Sequence, residues 1–360
     1  MSGAIPNAGS HGASGAATLR PSPYVERLHQ AVEAKGAPLL LGLDPHLDRI
    51  PACFRSRPWP AAGRGDAGDP RMGTGTPGAG RSRPDSQETR ARRAVARTYL
   101  RWAEAILPAA APYVAGVKIQ AAFYEEAGWA GAWALERTAA LARELGLLVV
   151  LDVKRGDVPS TAAAYARAWL DGPLGADAVT LHPWLGSDSL EPFLERVRTN
   201  GRGLYLLVLP SNPGASELQE LPTGATGEPL YRVLARRVAA WADATDGDSP
   251  WSSVGAVVGA TRPDRVAELR RLMPRVPFLL PGVGAQGGRV ETLGAAFSSG
   301  GRGAVVTASR SVLFGDGLSP PGGTRPAVEA AREVASRAKE LRDRLAALVM
   351  GHDGEEVEPS

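Results

Sequence analysis

Short apolar runs recur along this chain, and most are separated by longer amphipathic segments rich in Ala, Arg, Leu and Glu. The runs Pro38–Leu43, Val114–Ile119, Leu147–Val153, Ala178–Leu181, Gly203–Leu209, Val254–Gly259, Pro277–Leu280 and Gly303–Thr307 predict eight strands. Between most of them the spacing predicts helices, at Trp129–Leu145, Thr161–Leu170, Ser187–Thr199, Pro229–Ala244, Arg262–Leu272 and Gly288–Phe297. Eight strand–helix units in one chain predict an α/β fold, a closed (β/α)8 barrel. A doubly wound open sheet is the competing architecture, and eight strands with one chemistry-bearing rim favour closure.

Two segments break the alternation. Arg55–Arg90 is rich in Gly, Pro and Arg without periodicity, and it separates the first strand from a helix expected at Ala91–Leu107. Such a composition reads as a flexible insertion. Ser319–Arg325 is a short Pro/Gly break before a last helix at Pro326–Val349. The expected organisation is a disordered leader at 1–22, one barrel domain over 23–350 carrying the insertion at 55–90, and a disordered acidic tail at 351–360.

Composition narrows the class. Among 360 residues, 44% are hydrophobic and 22% charged, as in ordinary globular proteins with ample core. The net charge of +3 is uneven, because residues 55–97 hold ten arginines against four acids. A single cysteine, Cys53, excludes an internal disulfide framework and fits a reducing cytoplasm. No apolar stretch reaches the roughly 18–20 residues that a membrane helix needs, and Met1–Thr18 lacks the basic start and apolar core of a signal peptide. Neither a membrane nor a nucleic-acid partner is expected.

Candidate chemistry concentrates in Val149-Val150-Leu151-Asp152-Val153-Lys154-Arg155-Gly156-Asp157. In a strand, side chains alternate with period two, so Asp152 and Lys154 are expected on one face, with Asp157 close behind. Of 41 Lys plus Arg residues only Lys35, Lys118, Lys154 and Lys339 are lysines. Where a charge serves solubility this chain supplies arginine, yet Lys118 and Lys154 both end apolar runs. An ammonium can donate a proton and a guanidinium in practice cannot.

The remaining strand ends are polar or glycine-rich as well. They read Gly42-Leu43-Asp44-Pro45, Lys118-Ile119-Gln120, His182-Pro183, Ser211-Asn212-Pro213-Gly214, Gly259-Ala260-Thr261, the glycine-rich Pro281–Gly288, and Ala308-Ser309-Arg310-Ser311. A glycine-rich loop entering a helix exposes N–H groups to an anion, and an arginine grips phosphate oxygens in pairs. Phosphate sites of such barrels lie after strands seven and eight, so a phosphorylated small molecule is expected. Each charged rim residue has a structural alternative, Asp44 as a turn residue, Asp157 as a helix cap, Lys118 as a partner of a core carboxylate and Arg310 as a structural ion pair, yet together they are hard to explain as independent structural accidents. His182 is read as structural and Cys53 as incidental.

The chain resembles the orotidine 5′-phosphate decarboxylase family, in its longer bacterial, actinobacterial-like subgroup. Asp152-Val153-Lys154-Arg155-Gly156-Asp157 follows that family's Asp-x-Lys-x-x-Asp pattern, with Thr161 four residues later, and the other strand ends occur in the family's order. The resemblance implies cofactor-free, metal-free decarboxylation of orotidine 5′-phosphate to uridine 5′-phosphate in de novo pyrimidine biosynthesis. It implies catalytic roles for Lys154, Asp152, Asp157 and Lys118, with Lys154 stabilising and protonating the carbon 6 carbanion. Substrate contacts fall to Asp44, Thr161, Ser211, Asn212, Gln286 and Arg310. Asp157 and Thr161 would serve the neighbouring subunit of a homodimer. One departure stands out: Leu209-Pro210 precedes Ser211 where the subgroup usually has Lys-Thr. Alternatives are a magnesium-dependent phosphosugar decarboxylase or aldolase of the same superfamily, a Schiff-base aldolase, and a binding barrel without activity.

Overall fold

The computed structural model describes residues 21–56, 86–247, 249–284, 286–315 and 326–352. Eight parallel strands close into a barrel: β1 (Leu39–Leu43), β2 (Gly116–Gln120), β3 (Leu148–Arg155), β4 (Ala178–Leu181), β5 (Gly203–Leu209), β6 (Val254–Val258), β7 (Phe278–Pro281) and β8 (Ala304–Ala308). Neighbours in sequence are neighbours in the sheet, and β8 pairs with β1 through Leu39–Val306, Leu40–Thr307 and Leu41–Ala308. The (β/α)8 barrel expected from the alternation is therefore the observed fold, and the open sheet is excluded.

Period-two alternation sorts the strand residues into two layers. Leu39, Leu41, Val117, Val149, Leu151, Val179 and Val306 face outward into the layer shared with the helices. Leu40, Ala115, Val150, Ala178, Tyr205, Val257, Leu279 and Val305 face the barrel axis. The helices α1 (Tyr24–Lys35), α2 (Gln87–Ala110), α3 (Gly128–Glu144), α4 (Pro159–Ala166), α5 (Ser187–Asn200), α6 (Leu230–Asp246), α7 (Pro263–Leu272) and α8 (Ala327–His352) carry apolar faces toward the outer layer, α1 excepted.

The first helix instead packs with the axial residues. Tyr24, Leu28 and Val32 of α1 join the inner cluster, and the Tyr24 and Tyr205 hydroxyls lie 3.0 Å apart. Val25 N–H donates to Ser253 Oγ, just before β6, and Arg27 pairs with Asp177, just before β4. Helix α1 thus stops the N-terminal mouth, which leaves the C-terminal rim for chemistry. Burying each large side chain of that face contributes about 1.5–3 kcal/mol.

Three expectations need correction or lie elsewhere. Gly288–Phe297 is not an α-helix; it forms two 3-10 turns, Val290–Thr292 and Gly294–Ala296. Val290, Leu293 and Ala296 are buried at spacing three, which suits a 3-10 turn as well as a helix, and glycine at position 294 weakens the latter. Helix α4 is shorter than expected and continues as a π turn over Arg167–Asp171. The leader 1–22, the insertion 55–90, the break 319–325 and the tail 351–360 fall wholly or mostly outside the described residues. Among the described residues, no helix is long and apolar enough to cross a membrane.

Candidate active site

The C-terminal rim encloses a cavity of about 250 Å³ whose walls include Asp44, Lys118, Gln120, Asp152, Lys154, Ser211, Asn212, Gln286 and Arg310. Eight of the ten residues singled out from the sequence therefore face one space. Asp157 and Thr161 do not line it; the Asp157 carboxylate accepts the Val158 N–H at 2.8 Å.

Asp152 is the hub. It sits on β3 opposite Gln120 of β2 and is 3% exposed. Its Oδ2 accepts Lys118 Nζ at 2.6 Å and Gln120 Nε2 at 3.1 Å. Its Oδ1 accepts Lys154 Nζ at 2.5 Å and the Thr180 hydroxyl at 2.7 Å. Burial alone would raise the Asp152 carboxyl, but the Lys118 and Lys154 ammoniums outweigh it and hold that carboxyl well below the usual range. For Lys118, burial opposes the charge, yet Asp152 and Asp44 outweigh it and leave the ammonium favoured. Two cations thus share one buried carboxylate, whose two oxygens accept four hydrogen bonds between them.

Convergence of Asp152 and Lys154 was expected from simple alternation, but the structure reaches it differently. Between Leu151–Val179 and Arg155–Leu181 the register of β3 against β4 shifts in a bulge. Within that bulge Lys154 takes a left-handed conformation with φ 43°, and among the described residues no other non-glycine has positive φ. Bulges re-aim side chains at sheet rims, and backbone held in this sparsely populated region costs free energy that the surrounding contacts must offset.

The opposite wall comes from β5, β7 and β8. Ser211 Oγ donates to Gln286 Oε1 at 2.7 Å, joining the loop after β5 to the glycine loop after β7. A Cβ at Gly282 would sit 2.9 Å from Gln286 Oε1 with φ 108°, so only glycine suits this corner. No α-helix follows the glycine loop, whose Gly284, Gly287 and Gly288 N–H groups donate within the loop, so Arg310 and Gln286 are the side chains left to meet an anion there. Asp44 and Ser309 line the cavity, and one buried side-chain oxygen of each, Asp44 Oδ1 and Ser309 Oγ, has no protein hydrogen-bond partner.

Sequence reasoning missed Thr180, Thr307, Leu207 and Val257. The last three line the cavity; Thr180 and Thr307 are lone hydroxyls on the axial face of apolar strands, which period-two counting from Ala178 and Val305 would have marked. His182 does not line the cavity; its ring packs against Gly156. A larger cavity, about 590 Å³, lies behind the glycine loop against α8. Its arginines are engaged, Arg337 with the Val312 carbonyl and Arg344 with Glu291, and it holds no lysine. Among the described residues no group of three or more His, Cys, Asp or Glu is arranged to hold a metal.

A closed barrel with a lysine–carboxylate cluster at its C-terminal rim, facing a glycine loop and an arginine, defines an enzyme of the (β/α)8 class acting on an anionic small molecule. Residues 94–313 match the family described as Orotidine 5′-phosphate decarboxylase / HUMPS family, and the chain belongs to it. The orotidine 5′-phosphate decarboxylase of Thermomicrobium roseum is 38% identical over 92% of this chain and 99% of its own length. That of Deinococcus radiodurans is 45% identical, covering 67% of this chain and 82% of the relative. Among solved structures, a Streptomyces avermitilis chain assigned to the same activity is 31% identical with a TM-score of 0.68, covering 92% of this chain and 98% of that one.

Proposed function

We propose that the rim cavity binds orotidine 5′-phosphate with its carbon 6 against Lys154, and that Lys154 protonates this carbon as carbon dioxide leaves. The activity itself is that of an orotidine-5′-phosphate decarboxylase, a carboxy-lyase of pyrimidine biosynthesis that yields uridine 5′-phosphate. The observation that carries the assignment of roles is the Lys118–Asp152–Lys154 chain, with one buried carboxylate held between two ammoniums at 2.6 and 2.5 Å.

The reaction explains why such a cluster is useful. Breaking the bond from carbon 6 to the carboxylate leaves an electron pair in the plane of the pyrimidine ring, where the ring cannot delocalise it. Stabilisation must then come from fixed charges, and a preorganised ammonium supplies it without reorganisation. The pair takes a proton from Lys154 Nζ, and solvent returns a proton to the lysine. Asp152 fixes the ammonium, and under this reading it lies near the departing carboxylate.

Remote groups hold the rest of the substrate. Asp44, which lines the cavity, suits a ribose hydroxyl, alongside Lys118. Ser211 and Asn212 read the pyrimidine edge, with Pro210 beside them, while Gln286 and Arg310 hold the phosphate; the Ser211–Gln286 hydrogen bond ties the two functions together. Binding energy from the phosphate can then be realised in the transition state. Asp157 and Thr161, which lie off the cavity of their own chain, reach the ribose of the neighbouring site in a cytoplasmic homodimer. The longer bacterial, actinobacterial-like subgroup is the branch this reading favours.

An ultraviolet assay of orotidine 5′-phosphate decarboxylation tests the proposal. Wild type should turn over fully in excess EDTA, whereas Lys154→Ala should lose nearly all turnover and still bind uridine 5′-phosphate. Chelator-sensitive activity would select the magnesium-dependent alternative. Near-normal turnover in Lys154→Ala would remove the lysine from the mechanism.

A further inference from the structure

Strand β4 is four residues long, Ala178-Val179-Thr180-Leu181, and all four are buried. Three are apolar. Thr180, 1% exposed, is the polar exception, and a hydroxyl in such a place must be hydrogen-bonded. A threonine hydroxyl offers one proton and two acceptor sites. Here all three capacities are used on the same few atoms of β3. Thr180 Oγ1 donates to Asp152 Oδ1 at 2.7 Å. It accepts the N–H groups of Val153 and Lys154, each at 3.0 Å.

Those two N–H groups belong to the bulge. Regular pairing of β3 with β4 ends at Leu151–Val179 and resumes at Arg155–Leu181, so the intervening amides sit outside the regular strand pairing. One side-chain oxygen replaces the missing ladder. The same oxygen holds the carboxylate oxygen that Lys154 Nζ contacts at 2.5 Å. Thr180 therefore fixes Lys154 twice, at its backbone amide and, through Asp152, at its ammonium. Lys154 also carries the left-handed φ of 43° that this anchoring makes tenable.

We propose that Thr180 is a positioning residue for the decarboxylation: its hydroxyl sets the bulge conformation and the Asp152 rotamer that together aim the Lys154 ammonium at the reacting carbon. It does not line the substrate cavity, so it acts through Asp152 and Lys154 rather than on the substrate. The inference rests on the functional reading above and deepens it.

Two consequences separate this role from simple core packing. Thr180→Val keeps the shape and removes the hydroxyl, while Thr180→Ser keeps the hydroxyl and removes a methyl. If the hydroxyl positions Lys154, Thr180→Val lowers kcat for orotidine 5′-phosphate by about 100-fold, the scale of a misplacement near 1 Å. KM, and the affinity and stoichiometry for uridine 5′-phosphate, should stay within a few-fold, because the phosphate grip and the ribose contacts of the same chain, Asp44 and Lys118, lie on other strands. Thr180→Ser should recover kcat to within a few-fold of wild type. Should Thr180→Val not yield folded protein, Thr180→Cys, with a weakly hydrogen-bonding thiol of similar size, takes its place.

Wild type is assayed in parallel. Normal kcat in Thr180→Val or Thr180→Cys, beside an active wild type, overturns the inference alone. So does a Thr180→Ser variant as impaired as Thr180→Val, because shape would then be what matters. A proportional loss of uridine 5′-phosphate binding sites and activity assigns Thr180 to folding and also overturns it. An inactive wild type overturns the functional reading, and this inference with it.

Discussion

Asp152 and Lys118 pose the sharpest energetic question at the scale of single residues. Both are nearly buried, and the ion pair between them is fully hydrogen-bonded on the carboxylate side. A buried pair is weak evidence for stability in itself, but removing one member strands the other charge. Asp152→Asn should therefore destabilise the fold by about 3 kcal/mol, read as a lowered urea midpoint, and abolish turnover. The double variant Lys118→Met with Asp152→Leu should recover much of that stability while staying inactive. Equal instability of single and double variants would mean that the site contributes to folding through more than its charges. The sequence exposed Lys118 because a lysine is rare in this chain and this one ends an apolar run, and Asp152 because it is a charge set within one. It concealed Thr180 and Thr307, because a threonine inside a strand reads as ordinary strand propensity.

At the scale of elements, apolar runs located every barrel strand to within two residues at either end. Burial on both faces makes such strands continuous in hydrophobicity, which is their signature. The Gly288–Phe297 segment misled because a spacing of three apolar residues serves 3-10 turns too. The β3 bulge was invisible, since its Val153 and Lys154 N–H groups donate to Thr180 Oγ1 of β4 and follow no local pattern. Helix α1 shows what an element can do beyond packing. Its His29 ring stands edge-on to Trp251 at 6.0 Å, with Nε2 buried and unpartnered. Burial, then the charge of Arg302, lowers its pKa to about 4, against a small opposing effect of Glu26. The folded value lies below the unfolded value near 6.5, so the native state favours the neutral ring. The stability this contributes is present above about pH 6.5 and is lost as pH falls through about 4. Thermal melts between pH 7 and 4 should show His29→Phe losing less stability on acidification than wild type. Parallel pH dependence of the two proteins would leave the stopper helix without an acid-sensitive group.

For the whole molecule, the decisive matter is where Asp157 and Thr161 act. Eight of the ten candidate residues face the chain's own cavity, whereas these two follow β3 in the next loop and helix and do not line it. The loops after β3 and β4 lie together, with Gly156 against the His182 ring, and they expose Val158, Trp184 and Leu185 by 52%, 46% and 42%. An apolar rim beside a carboxylate and a hydroxyl suits a second copy of the chain, whose ribose site these groups would complete under the proposed dimer. Two-fold symmetry then gives each dimer two composite sites, each with Lys154 from one chain and Asp157 from the other. Lys154→Ala and Asp157→Ala should each be strongly impaired alone. When equal amounts are unfolded together and reassembled, half the dimers are mixed, and each mixed dimer regains one intact site of two. Recovered turnover should approach about one quarter of wild type per chain, measured after native mass spectrometry verifies the mixed species. Verified mixed dimers without recovery would return Asp157 to its own chain's site. Recovery near one quarter makes the dimer a catalytic requirement, because one barrel then holds the proton donor without the complete ribose site.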